Sequence, residues 1–126
     1  STKTEMHRKV RIIGIAGELY FASADIFQMA IQSIAEDKKT TAIVLRLNNI
    51  YHMDASMCLA ILNLHESLHS TGRHLIISGL TEEVWHVFHR AGLVRQIGLD
   101  NLYFTDETNP QFSTWKACLR AQELVQ

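Results

Sequence analysis

The sequence predicts an α/β fold, with a mixed, mostly parallel sheet of four to five strands and about four helices packed against it. Three observations carry this. Short apolar runs of strand type alternate with segments whose apolar residues recur every three to four positions. The stretch from Thr41 to Gly79 reads strand, turn, helix, strand, an order that favours a parallel strand pair. No internal repeat, low-complexity tract or linker interrupts the pattern, so the 126 residues form one domain over 1–126 with its core at about 10–119.

Taken in order, the first nine residues form a basic segment: Lys3, Arg8 and Lys9, with Arg11 just beyond, are opposed only by Glu5. Such a segment suits a solvated end, and it also suits a juxtamembrane stretch drawn to anionic headgroups. Val10 to Ala16 is an apolar strand, and after Gly17 the alternation in Glu18-Leu19-Tyr20-Phe21 suits a second strand, the two forming a hairpin. Ser23 caps the first helix, with Asp25 in its first turn and Phe27, Ala30, Ile31 and Ile34 as its inner stripe; it ends within Glu36-Asp37-Lys38-Lys39. Ala42 to Leu47 is a strand and Asn48-Asn49 a turn.

The central helix opens at Asp54, placed to accept hydrogen bonds from the free amides of the first turn and to meet the positive end of the helix dipole. Up to Ser70 it sets Met57, Cys58, Ile61, Leu64, His65 and Leu68 on one side. Ser56, Leu59, Ala60, Asn63 and Ser67 fall on the other. Gly72 stops it and His74 to Gly79 is the next strand. Thr81 caps a further helix with Val84, Val87, Phe88 and Ala91 inward and Gly92 as its stop; Leu93 to Gly98 links it to a strand at Leu102-Tyr103-Phe104. Asn109-Pro110 opens a closing helix with Phe112, Trp115 and Leu119 as its buried stripe, so both tryptophans, Trp85 and Trp115, are expected in the core or covering a groove. The order is β-β-α-β-α-β-α-β-α.

Composition excludes several functions. A net charge of −1 without a basic stripe beyond the first dozen residues argues against a nucleic-acid partner. No apolar run approaches the roughly 20 residues that span a bilayer, and no secretory signal is present. Cys58 and Cys118 lie in helical, mostly apolar patterns, as two packed free thiols in a reducing compartment would, which points to the cytoplasm. The opening Ser-Thr-Lys-Thr without an initiator Met fits a processed product or an excised part of a longer chain.

No phosphate-binding loop, dinucleotide fingerprint, nucleophile elbow or Cys-x-x-Cys pair occurs. His65 and His69 stand four apart with Cys58 two turns earlier, a spacing able to hold a metal, yet no acidic or further soft ligand accompanies them and His65 falls within the apolar face. A core histidine is the reading adopted. His86 and His89 belong to a solvated face. Asp54 with His52 is a conceivable acid/base pair, but capping already explains Asp54. No catalytic residue, metal or cofactor is expected.

Several segments together resemble the STAS domain, the module shared by sulfate-permease-type (SulP) anion transporters and anti-sigma-factor antagonists. They are Gly17-Glu18-Leu19-Tyr20-Phe21-Ala22-Ser23-Ala24, Met53-Asp54-Ala55-Ser56, Gly72-Arg73-His74-Leu75-Ile76-Ile77-Ser78-Gly79, and Ala91-Gly92-Leu93 followed by Ile97-Gly98. The resemblance spans about Val10 to Leu119 and implies a STAS-like fold. The wording Leu19 to Ala24 is similar to the transporter branch, where this domain is the cytoplasmic C-terminal part of a membrane anion carrier. In the sigma-regulating branch a phosphorylated serine follows the signature Asp. Here that position is Ala55, which cannot accept phosphate, and Ser56 lies about 100° further around the helix.

The resemblance thus implies a non-catalytic regulatory and interaction module on the cytoplasmic face of a membrane. Its partners would be the transmembrane domain of the same chain and a regulatory protein; the domain itself would be membrane-proximal but not inserted. The alternative is a freestanding anti-sigma-factor antagonist that signals by partner switching. Asp54, Ala55, Ser56 and Met57 form a weak anion or nucleotide site, through backbone amides at a helix start. Ser56, Leu59, Ala60, Asn63 and Ser67 form the expected partner face, and no phosphorylation is expected.

Overall fold

The computed structural model describes residues 9–17, Tyr20 and 22–126. Four strands, β1 (Val10–Gly14), β2 (Ala42–Arg46), β3 (His74–Leu80) and β4 (Leu102–Phe104), lie in one sheet in the order β1-β2-β3-β4. Every pair among them is parallel, with Val10 opposite Ala42 and Ala42 opposite His74. Among the described residues five α-helices connect and close the sheet: α1 (Ala24–Glu36), α2 (Ala55–His69), α3 (Glu82–Arg90), α4 (Leu93–Ile97) and α5 (Phe112–Val125). The expected antiparallel hairpin rests on Glu18, Leu19 and Phe21, which lie outside the described residues, as do Lys3 and Arg8. Tyr20 sits in a turn with its N–H donating to the Gly17 carbonyl at 3.1 Å. Leu93 to Gly98, expected as a linker, is largely helical.

Sequential parallel order has a consequence for the layers. Crossovers of one hand place each connecting helix on the same side of the sheet, and α1, α2, α3 and α4 all pack there. Ile43 and Leu45 of β2, with Leu75 and Ile77 of β3, meet them in the larger core. The alternate positions Ala42, Val44 and Ile76 face the other way, onto α5. With both faces covered, β2 and β3 carry the consecutive apolar residues Ala42–Leu45 and Leu75–Ile77, as buried parallel strands do.

The closing helix is turned from the expected orientation. Ser113, Thr114, Ala117 and Ala121 face the sheet, while Phe112, Trp115 and Leu119 point to solvent, Trp115 at 57% exposure. The reason is close approach. The Ser113 hydroxyl accepts a hydrogen bond from the Gly79 N–H at 3.0 Å, and the Ser78 and Thr114 hydroxyls share one at 2.9 Å. A hydrogen bond across helix and sheet brings the backbones together, and only small side chains fit between them. Helical order also starts later than expected, at Phe112; Pro110 lies in the preceding turn, where its carbonyl accepts from the Asn48 side-chain amide at 3.0 Å. Trp85 is half-buried at the edge of the larger core, stacked on His89 at 5.1 Å. Ala91, expected inward, is the exposed C-cap of α3.

Gly79 marks an irregularity in β3, where the register to β4 shifts between Ile77 and Leu80. Its φ of +67° is one that glycine adopts without strain, and a Cβ there would run into Asn48, whose backbone nitrogen alone would stand at 2.6 Å. The bulge frees the Gly79 N–H for Ser113 and so fixes how α5 sits.

Candidate functional site

The site is built on the β2–α2 connection. Beyond Leu47 the chain turns at Asn49, a non-glycine residue with φ +65°, in keeping with the tolerance of Asn for the left-handed region. Ile50 and Met53 are buried anchors, and between them Tyr51 and His52 are exposed. Two further hydrogen bonds hold the loop. The Thr81 hydroxyl donates to the Ile50 carbonyl at 2.8 Å, and the Tyr20 hydroxyl donates to the His52 carbonyl at 2.9 Å. Thr81 also caps α3, its oxygen accepting from the Val84 N–H at 3.3 Å, so one side chain couples the β2–α2 loop to the start of α3.

Asp54 is the N-cap of α2, its carboxylate accepting from the Met57 N–H at 2.8 Å. Of the amides expected to receive an anion, that of Met57 is therefore taken, by a group whose negative charge opposes a second anion. Ala55 and Ser56 are exposed and Met57 is buried. The recess beside them, lined by Tyr20, Phe27, Asp54 and Ser56 among others, encloses about 50 Å³. Small-molecule pockets start at about 300 Å³, several times this volume.

The five residues expected to form one partner face are divided by the ridge of α2. Leu59, 53% exposed, borders a groove of about 430 Å³ on the α3 side, where Cys58, Leu62, Val87 and Leu93 make an apolar wall and Arg90 stands in the lining. Asn63 and Ser67 border a second groove, of about 390 Å³, on the α1 side, floored by Ile31, Ala35 and Leu64. Ala60 corrects the expectation of an outward residue: it is completely buried, part of that floor, because α1 packs over this side of α2. Ser56 lies at the start of the ridge, beside the recess.

His65 is half-buried rather than a core residue, its ring stacked on His69 at 5.6 Å and 20°. Stacked rings offer each other faces and do not converge their nitrogens on one point. Among the described residues no three His, Cys, Asp or Glu side chains gather to hold a metal. Burial, and next the Asp54 carboxylate, push the Cys58 thiol up from its ordinary value, away from the reactive thiolate. Cys118 is also a free thiol, raised by burial.

Sequence reasoning missed Arg73. This nine-tenths buried arginine donates to the carbonyls of Ala35 at 2.7 Å and Asp37 at 3.2 Å, and to the Thr71 hydroxyl at 2.8 Å. It closes the C-terminal end of α1, where the unsatisfied carbonyls and the negative end of the dipole want a cation. Its place directly after the helix stop Gly72 was the only available signal.

Residues 1–108 match the model of the STAS domain, and the chain belongs to that family. Among curated relatives it is 27% identical over 94 residues to the "Putative sulfate transporter YvdB" of Bacillus subtilis, a match covering 75% of this chain and 18% of that protein. It is 26% identical over 91 residues to the anti-sigma F factor antagonist of Paenibacillus polymyxa, covering 72% of this chain and 78% of that one. The chain thus spans about a fifth of the transporter relative and most of the antagonist. Among solved structures it is similar to the SulP transporter STAS domain of Vibrio cholerae, with a TM-score of 0.66, 23% identity, and 99% and 98% of the two chains covered. A sulfate transporter family protein from Wolinella succinogenes superposes with a TM-score of 0.71 at 24% identity, over 93% of this chain and 88% of that one. Phosphorylated SpoIIAA of Bacillus shares the fold more loosely, at a TM-score of 0.53 and 15% identity, over 80% and 86% of the two chains. Among the described residues no helix is long and apolar enough to cross a membrane.

Proposed function

We propose that this is the cytoplasmic STAS domain of a sulfate-permease-type anion transporter, a non-catalytic module that regulates or assembles the transporter through protein contacts. The observation that carries this is Ala55. It is the first residue of α2, exposed to solvent directly after the Asp54 cap, where the partner-switching branch of the family needs a serine hydroxyl. A methyl group there cannot take phosphate. The structural similarity to a SulP transporter STAS domain and to a sulfate transporter family protein, and the small share of the transporter relative that the chain spans, support the same reading. Contact with the membrane domain or a regulatory protein is assigned to the exposed side of α2, with Leu59 facing one groove and Asn63 and Ser67 the other. The membrane domain would carry the transport pathway.

A second reading, a freestanding anti-sigma-factor antagonist, is favoured by the match to most of such a protein's length. It requires Ser56, exposed one position further on, as acceptor. Fractionation of the native cells separates the two. An antibody against this domain is expected to find it in carbonate-washed membranes, on a chain far larger than 126 residues. A soluble protein of about this size, bearing phosphate on Ser56, would overturn the transporter reading.

A further inference from the structure

A cleft of about 630 Å³ opens between the end of α3, α4, the Leu99–Asn101 turn and α5. Three of its lining residues can be cationic and come from three different helices: His89, Arg95 and Arg120. Asp100 is the one carboxylate in the lining, so two arginines face one aspartate. Arg120 is held in place. Its Nε donates to Asn101 Oδ1 at 3.0 Å, and the Asn101 amide in turn donates to the Ile97 carbonyl at 2.8 Å. Glu123 reaches Arg120 Nη1 only at 3.6 Å, from a side chain that is largely exposed, so it leaves most of the guanidinium's five donors to other partners. Arg95 has no ion-pair partner among the described residues.

The rest of the lining is open and partly apolar. Gly92 and Gly98 border the cleft without side chains, and Val94 and the exposed Leu99 supply hydrocarbon surface. We propose that the cleft is a binding site for a small organic oxyanion, its phosphate, sulfate or carboxylate group meeting Arg95 and Arg120 and its apolar body lying against Val94 and Leu99. Guanidinium groups suit such anions because their planar forks match the oxygen geometry. The volume exceeds what a bare ion needs and falls within the range of small-molecule sites.

The probes are phenyl phosphate and inorganic phosphate, titrated into the isotopically labelled chain at constant ionic strength, with chloride as control. Amide shifts are expected to cluster at Gly92, Gly98 and Asn101, with phenyl phosphate binding more tightly than inorganic phosphate. Arg95→Gln should weaken phenyl phosphate about tenfold, as for loss of one charge-assisted contact, whereas Asp100→Asn should tighten it. Leu99→Ser should erase the preference for the phenyl compound, and Lys116→Gln, outside the cleft, should change nothing. Shifts scattered over the basic surface, equal response to chloride, or an Arg95→Gln variant of unchanged affinity would overturn the site.

Discussion

The guanidinium of Arg73 donates to the carbonyl of Ala35 at 2.7 Å, across 38 residues of sequence, and in doing so ties the start of β3 to the last turn of α1. The charge has no carboxylate partner within the salt-bridges of the described residues; it is met by backbone carbonyls. Arg73→Met should cost about 2–4 kcal/mol of unfolding free energy, because it removes charge-assisted bonds and leaves buried carbonyls unmet. Arg73→Lys should recover little of this, since one ammonium cannot reach carbonyls that the planar fork spans. Urea unfolding of both variants checks it; a lysine variant of native stability would show that charge alone matters.

For the proposed partner surface, Leu59→Asp combined with Asn63→Arg places one charge in each groove beside α2. Both side chains are exposed in the isolated domain, so stability should change by about 0.5 kcal/mol or less. Crosslinking to the membrane domain or regulatory partner should be lost. Loss of folding along with contact would remove the assignment.

The orientation of α5 makes opposite predictions for neighbouring residues. Trp115→Ser, at a solvent-facing position, should leave the melting temperature nearly unchanged. Ala117→Met should cost about 1–3 kcal/mol, because the fully buried Ala117 packs against Ala42, Val44 and Ile76 with no space for a longer side chain. Thermal melts of the two variants decide between this orientation and one with the large residues inward.

Acid should loosen the end of α2. Burial, and next His69, hold His65 below its ordinary pKa, against opposing effects of Glu66 and a hydrogen bond with the Gln96 backbone. Burial, then Arg120, then His69 hold His74 down as well. A base with a lowered folded pKa binds fewer protons folded than unfolded. The stability it contributes is whole above the unfolded value of about 6.5 and is lost as pH falls through the window below it. Melting temperature should therefore drop between about pH 7 and pH 5, and less steeply in a His65→Gln, His74→Gln double variant. Equal slopes would rule these two residues out.

What the sequence made legible was whatever depends on neighbours along the chain. The caps Ser23, Asp54 and Thr81 accept from first-turn amides of their helices, and the apolar runs Ala42–Leu45 and Leu75–Ile77 fall in β2 and β3. What stayed hidden depends on distance between elements. Ala60 reads as outward on an isolated helix and is covered only once α1 is laid beside it. Trp115 reads as core by its spacing with Phe112 and Leu119, but hydroxyl contacts from Ser113 and Thr114 turn the small residues of α5 to the sheet instead. The division of the expected partner face into two grooves follows from the same neighbours.

The family match ends at residue 108, and α5 begins at Phe112. Among the described residues that helix supplies the packing over Ala42, Val44 and Ile76. A fragment trimmed to the match would leave a greasy row across the middle of the sheet open to water and to other copies of itself. Anyone expressing this domain should keep the chain through Val125, since the boundary drawn by family likeness and the boundary drawn by packing differ by one helix.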